Sequence, residues 1–114
     1  MRILDIFSDN FSQEYTITTE DNQVFTFSVE YLEGQQSWFY SLAYNNFQLN
    51  NQRLVLDPNF LRRFKAYLPF GIACLAPADQ VDPFLLNDLI SGRIQLLLLT
   101  EAEVKVAEKT IYGQ

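Results

Sequence analysis

The feature that most constrains this chain is a run of alternating apolar and polar residues between positions 23 and 32. Phe25, Phe27, Val29 and Tyr31 occupy every second position, and Thr, Ser and Glu stand between them. Successive side chains of a β-strand point to opposite faces of the sheet, so this period of two predicts a strand. Its odd-numbered face is expected in the core and its even-numbered face in solvent.

Comparable runs on both sides predict a meander of antiparallel strands joined by short polar turns. Residues 38–44 carry apolar side chains on both faces, which is typical of a central strand covered on two sides. Residues 47–49 begin a returning run that the turn-prone Asn50 and Asn51 interrupt. Further strands are predicted at residues 14–20, 53–56, 71–76 and 93–99.

Two Asp-Pro pairs predict helix starts, because Asp is favoured as an N-cap and Pro at the first helical position. After Asp57 and Pro58, apolar residues at helical spacing predict one short helix or a series of helical turns that ends near residue 69. After Asp82 and Pro83, residues 84–91 are predicted to form a second short helix, which Gly92 ends.

The pattern predicts a single β-rich domain over residues 1–114. Residues 1–12 are interpreted as an N-terminal arm or edge strand, and residues 101–114 as a C-terminal tail. Thr100 and Glu103 have the spacing of a capping box, which predicts a helical turn at the start of that tail. The predicted fold is mainly β: a small antiparallel barrel or sandwich with one or two short helices.

The net charge is −6, but it is unevenly distributed. Residues 1–52 carry seven acids and one base, whereas residues 53–76 carry four bases and one acid. An acidic chain repels a phosphate backbone, so nucleic acid is not an expected partner. The basic segment with Arg62, Arg63 and Lys65 is either a solvated face or a surface that docks against an acidic protein.

The residue types that most catalytic and metal sites need are scarce. The chain has no histidine and one cysteine, so no transition-metal site of ordinary ligand spacing is expected. Cys74 lies in an apolar run and is expected to be a buried structural residue rather than a nucleophile. We therefore predict no catalytic residue, no metal and no cofactor, and we do not expect an enzyme. No apolar run approaches the roughly 20 residues of a membrane span, so a membrane is not an expected partner either.

The order of the segments also resembles that of a known family. The alternating strand is followed by a turn with Gly34, the aromatic run WFYSL at residues 38–42, an Asn-rich turn and the strand 54–56. Then come the segment FLRRF at residues 60–64, the turn LPFG at 68–71, an apolar strand, NDL at 87–89 and the apolar strand 93–99. In this order, residues 23–100 resemble the small baseplate plug proteins of contractile-tailed phages. Residues 82–90 are more apolar than the corresponding loop of typical members.

The resemblance implies a structural protein of a phage tail baseplate that plugs or organises the central hub beneath the tail tube. The implied partners are hub and tail-tube proteins, with a homo-oligomer within the baseplate as an open alternative. The implied location is the virion, assembled in the host cytoplasm. Arg62, Arg63 and Lys65 form the candidate protein interface. Two other functions stay open: an adaptor domain that binds a protein or peptide through an exposed strand edge, and an enzyme that uses an acidic pair on host wall polymers.

Overall fold

The computed structural model describes residues 2–8 and 10–111, which form two antiparallel sheets. A four-stranded sheet has the order β2-β3-β4-β5, and a three-stranded sheet has the order β1-β7-β6. Because neither sheet closes on itself, the predicted mainly β fold is confirmed as a sandwich rather than a barrel. The strands are β1 (Arg2–Ile3), β2 (Ser12–Thr18), β3 (Val24–Leu32), β4 (Ser37–Tyr44), β5 (Phe47–Arg53), β6 (Phe70–Leu75) and β7 (Gln95–Thr100), and the helices are α1 (Asp88–Ser91) and α2 (Glu101–Ile111).

The core lies between the sheets and is rich in aromatic side chains. The odd-numbered face of β3 is buried, as its alternation predicts, while its even-numbered residues are partly or fully exposed. Phe25 of β3 stacks on Phe70 of β6 with ring centroids 4.2 Å apart, which joins one sheet to the other. Trp38 of β4 is fully buried and contacts Tyr31 across the strand pair, with ring centroids 5.4 Å apart.

The fourth strand of the large sheet differs from the prediction. Residues 47–53 form one strand, β5, and the predicted strand at residues 53–56 is wrong because β5 ends at Arg53, just before a last bond from Leu54 N to Trp38 O at 2.8 Å. Asn50 and Asn51 form a β-bulge opposite Ser41, since the register changes between Tyr40 and Leu42. Asn51 takes a positive φ of 52°, which Asn tolerates better than most residues, and its N–H donates to Ser41 Oγ at 3.1 Å. The turn-prone pair thus bends the strand without ending it.

The segment after Asp57 contains helical turns rather than an α-helix. A 3₁₀-helix covers Arg62–Phe64, with turns on both sides of it. The Asp57 carboxylate accepts a hydrogen bond from Asn59 N at 2.8 Å, and Asn59 Oδ1 in turn accepts bonds from Leu61 N and Ile72 N at 3.1 Å. These side-chain bonds fasten the turns to β6, and of the two predicted forms the helical turns are confirmed.

The predicted helix at residues 84–91 is reduced to α1, which begins at Asp88. Asp82 does not cap it, because its carboxylate accepts a hydrogen bond from Leu56 N at 3.0 Å, 26 residues away. Gly92 ends α1 as predicted, with the left-handed φ of 83° that favours glycine at this position. Residues 77–92 otherwise form an irregular loop between β6 and β7, which we call the apolar loop.

The two ends of the chain pack on the three-stranded sheet. β1 pairs with β7 at the sheet edge, and Arg2 Nη2 donates to Thr18 O of the other sheet at 2.9 Å. The predicted capping box is present at the start of α2: Thr100 Oγ1 accepts from Glu103 N at 3.3 Å and Glu103 Oε1 from Thr100 N at 3.0 Å. Residues 1 and 9 of the predicted arm and residues 112–114 of the predicted tail lie outside the described residues.

Candidate protein-interaction surfaces

Two arginines of the predicted interface meet a third at a cleft beside the edge strand β5. The cleft has a volume of about 390 Å³, and we call it the arginine cleft. Among the described residues, its lining combines three arginines and one acid with apolar and aromatic side chains. These residues are Tyr40, Arg53, Val55, Asp57, Asn59, Phe60, Arg62 and Arg63. The cleft is therefore a local concentration of positive charge on a chain whose net charge is −6.

Arg63 is exposed and is held only lightly. Its Nη2 donates to Gln52 Oε1 at 3.3 Å, a long hydrogen bond, and its guanidinium carbon lies 5.0 Å from the centre of the Phe64 ring. Such a side chain can turn toward a carboxylate at little cost. Beside it, burial raises the pKa of the Tyr40 hydroxyl to about 12, while the charge of Arg63 lowers it and that of Asp57 raises it by less. The phenol therefore stays neutral.

Lys65, the third residue of the predicted interface, lines a different recess. That recess lies between residues 65–70 and α2, with Tyr67 and Pro69 on one side and Glu101 and Lys105 on the other. The structure thus brings Arg62 and Arg63 together but separates Lys65 from their cleft. Arg53, which the sequence reasoning missed, joins them because β5 returns along the sheet edge and ends there.

The second surface is the apolar loop, in which the sequence predicts a short helix at residues 84–91. Val81, Phe84, Leu85 and Ile90 are between 39% and 51% exposed, although all four are large apolar residues. Pro83, Leu86 and Leu89 of the same loop are buried or half-buried. The signal that could have identified this surface is the concentration of six large apolar residues within positions 81–90, a segment that also contains Pro83.

A buried ion pair organises the apolar loop. Asp88 is 1% exposed, and its carboxylate accepts hydrogen bonds from Phe84 N and Leu85 N at 2.8 Å. Arg93 Nε and Nη2 donate to the same carboxylate at 2.7 Å. Arg93 also donates to Asp79 at 3.0 Å and to the carbonyls of Val81 and Asp82 at 3.1 Å. One arginine therefore holds four points of the loop.

The hydrogen bonds of this pair fix its ionisation. Burial alone would raise the pKa of the Asp88 carboxyl, but the bonds from Arg93, Leu85 and Phe84 outweigh it and hold the pKa below its usual value. The hydrogen bond to Asp88 raises the pKa of Arg93 in turn. The guanidinium also lies 4.9 Å from the centre of the Phe84 ring. Both members of the pair are charged at neutral pH.

Two aromatic side chains of the large sheet attach the loop to the sandwich. Trp38 Nε1 donates to Leu85 O at 2.9 Å, and the Tyr31 hydroxyl donates to Phe84 O at 2.7 Å. Because Tyr31 and Trp38 are paired across β3 and β4, both bonds fall at one end of the sheet. The ring of Phe11, 47% exposed, lies edge-on to Tyr31 with the centroids 6.0 Å apart. The loop and Phe11 thus border the same end of the sandwich.

Cys74, the single cysteine, lies in the core of the sandwich. Cys74 is fully buried in β6, and burial, more than the charges of Asp82 and Asp57, raises the pKa of its thiol to about 12. Within the part of the chain that the structure describes, no three His, Cys, Asp or Glu side chains are grouped as metal ligands would be. None of the described helices is long and apolar enough to span a membrane.

The comparison with protein families gives a match over most of the chain. A search of curated proteins found no significant match. The family model described as cyanophage baseplate Pam3 plug gp18 matches residues 1–101, which include both sheets, the arginine cleft and the apolar loop. All of α2 after its first residue lies beyond the match. The resemblance noted in the sequence is therefore confirmed: the chain belongs to the family of cyanophage baseplate plug proteins, which are structural components of the phage tail.

Proposed function

We propose that this protein plugs or organises the central hub of the baseplate, beneath the tail tube. The family match over residues 1–101 carries the proposal, because the matching family is described as a baseplate plug. The sandwich is suited to such a part, since its core joins both sheets through stacked aromatic rings. We further propose assembly in the host cytoplasm, with hub and tail-tube proteins as neighbours.

Arg62 and Arg63, now with Arg53, are the proposed contact with an acidic surface of one of those neighbours. A guanidinium binds a carboxylate through two parallel hydrogen bonds, which gives both strength and orientation. The apolar walls Val55 and Phe60 exclude water around such a pair, and this strengthens its electrostatic attraction. Lys65 is a separate proposed contact, because it lines the other recess.

The location is tested on intact virions. Cryo-electron microscopy is expected to place density for the two sheets close to the tail axis, at the junction of hub and tube. Mass spectrometry of purified virions is expected to detect the chain. Particles that are infectious and complete but lack the chain would contradict the proposal.

The arginine contact is tested by charge reversal. Arg53→Glu and Arg63→Glu each convert an attraction into a repulsion, so assembly of complete baseplates should fall while the free protein stays folded. Arg2→Glu makes the same charge change on β1, where the side chain is exposed and lines neither recess, and serves as the matched control. Equal particle yields for all three variants would show that the cleft is only a solvated surface.

The adaptor alternative requires a strand edge that a peptide can extend. The β5 edge of the large sheet is interrupted by the bulge at Asn50 and Asn51, which breaks the ladder of a regular template. The β2 edge has no such break, and it is the edge to which an adaptor function would be assigned. Recovery of non-virion proteins with the tagged chain from infected cells would favour that function over the plug.

A further inference from the structure

We propose that the apolar loop is a preformed docking surface for an apolar recess bordered by Lys or Arg side chains on a neighbouring baseplate protein. The inference rests on the proposed function, since it assumes a neighbour within the baseplate. It adds a second contact, with a different chemistry from that of the arginine cleft.

The first observation is the concentration of exposed apolar side chains. Among the described residues, ten large apolar side chains are exposed, and four of these, Val81, Phe84, Leu85 and Ile90, lie within ten positions of the sequence. Single exposed apolar residues are ordinary, but a group of them on one segment marks an interaction surface. Phe11 adds a fifth exposed apolar side chain at the same end of the sandwich.

The second observation is that the loop is held in place without a partner. Asp88 receives two backbone N–H groups and two bonds from Arg93, and Arg93 reaches Asp79 and two carbonyls of the loop. Trp38 and Tyr31 fix the neighbouring carbonyls from the sheet. Ordering a loop on binding lowers affinity, so a loop that is already ordered offers its apolar side chains at less entropic cost.

The third observation identifies the chemistry of the partner. The apolar loop carries Asp79, Asp82 and Asp88 and no base, and even with the adjoining Arg93 the segment is net acidic. Arg93 is 16% exposed and is already bonded to acceptors within the loop, whereas Asp79 and Asp82 are exposed beside the apolar side chains. Complementary charge on a partner is therefore positive, and an acidic recess would be repelled.

A second copy of this chain is the less favourable occupant. The basic surface that it offers is its arginine cleft, and that cleft is assigned to the acidic neighbour. The loop also lies next to the cleft within one molecule, because Leu56 N donates to Asp82 at 3.0 Å and the adjacent Val55 lines the cleft. A different baseplate protein can approach the loop while the cleft stays occupied.

The test uses the full chain and baseplates purified from a phage that lacks its gene. Binding of the labelled protein to these baseplates gives a Kd for the wild type and for four variants. Leu85→Ser and Ile90→Ser are each expected to weaken binding about tenfold, as for contacts near the centre of an interface. Asp82→Lys is expected to weaken it further and to reduce its dependence on salt. Val24→Ser is the matched control, because Val24 is 53% exposed on β3, away from the loop, and should bind as the wild type does.

The outcomes separate the inference from the proposed function. Wild-type protein that does not bind the baseplates would refute the plug role and the docking surface together. Wild-type binding that Leu85→Ser and Ile90→Ser leave unchanged would refute the docking surface alone. Tighter binding by Asp82→Lys would refute the basic border of the recess. Sedimentation velocity of the free chain is expected to show a monomer; a dimer that Leu85→Ser dissociates would make a second copy the occupant and overturn the proposal.

Discussion

The buried pair of Asp88 and Arg93 gives the most direct test of how the apolar loop is held. The variants are Asp88→Ala, Arg93→Met and the two combined. Asp88→Ala removes an acceptor of four hydrogen bonds, two of them from the backbone of Phe84 and Leu85. Breaking one side of a buried pair costs about 3–5 kcal/mol of unfolding free energy. In this variant Asp79 and two carbonyls still accept hydrogen bonds from Arg93. We therefore expect a loss of unfolding free energy at the lower end of this range, about 3 kcal/mol.

The double variant separates the pair from the packing around it. Arg93→Met keeps an unbranched stem beside Phe84 and removes the charge, so the combined variant has no uncompensated guanidinium. We expect the double variant to lose less stability than the sum of the single variants, with a coupling of about 1–3 kcal/mol. Urea unfolding followed by tryptophan fluorescence measures each value, because Trp38 is the single tryptophan.

The control is the exposed pair of Glu101 and Lys105, whose atoms lie 3.5 Å apart on α2. Glu101→Ala should cost no more than about 0.5 kcal/mol, because solvent screens such a pair. If Asp88→Ala destabilised the protein no more than this control does, the loop would not depend on the pair. If the loss of stability in the double variant equalled the sum of the losses in the single variants, Asp88 and Arg93 would act separately.

Three further predictions concern the pH response and the core. The pKa of Asp88 is lowered in the folded state, so its contribution to stability is present above the unfolded value of about 3.9 and is lost as the pH falls through the folded value. The stability difference between wild type and Asp88→Asn should therefore be constant from pH 7 to 5 and narrow below about pH 4; an unchanged difference at pH 3 would contradict this. Trp38→Ala should cost about 3–5 kcal/mol in urea unfolding followed by circular dichroism, because the side chain is fully buried and its N–H bond to Leu85 O is lost; a near-wild-type curve would disprove it. Gly71→Ala would place a Cβ 2.7 Å from Asn59 Oδ1, which two backbone N–H groups hold, so we expect a loss of about 1–3 kcal/mol and a lower Tm in thermal unfolding. An unchanged Tm would mean that Asn59 moves freely.

The strands that could be predicted are those in which apolar and polar residues alternate, because the type of each residue then indicates whether it faces the core or the solvent. β3 alternates because one side is buried, and a shift of one residue would turn Phe25 and Phe27 to solvent. The capping box of Thr100 and Glu103 was equally readable, because both of its hydrogen bonds join residues three apart. In both cases the determining interaction is encoded within a short segment.

The candidate surfaces were less predictable, because their residues come from distant segments. Arg62 and Arg63 were visible as a cluster of charge, whereas Arg53 joins them only through the course of β5. The two Asp-Pro pairs look alike in sequence, yet Asp57 bonds to a residue two positions away and Asp82 to Leu56. A local rule for N-caps cannot distinguish them, because the deciding partner of Asp82 is 26 residues distant.

The backbone hydrogen bonds of the apolar loop help to explain why its large apolar side chains are exposed. A helix that began at Phe84 would direct the carbonyls of Phe84 and Leu85 to the N–H groups four residues later. In the structure Phe84 O accepts from the Tyr31 hydroxyl, and Leu85 O accepts both from Trp38 Nε1 and from Asp88 N, three residues later. The N–H groups of the same two residues turn to Asp88. The irregular loop therefore supplies acceptors to two aromatic side chains of the core as well as to its own backbone. The exposure of these apolar residues thus follows from how the core satisfies its own hydrogen bonds.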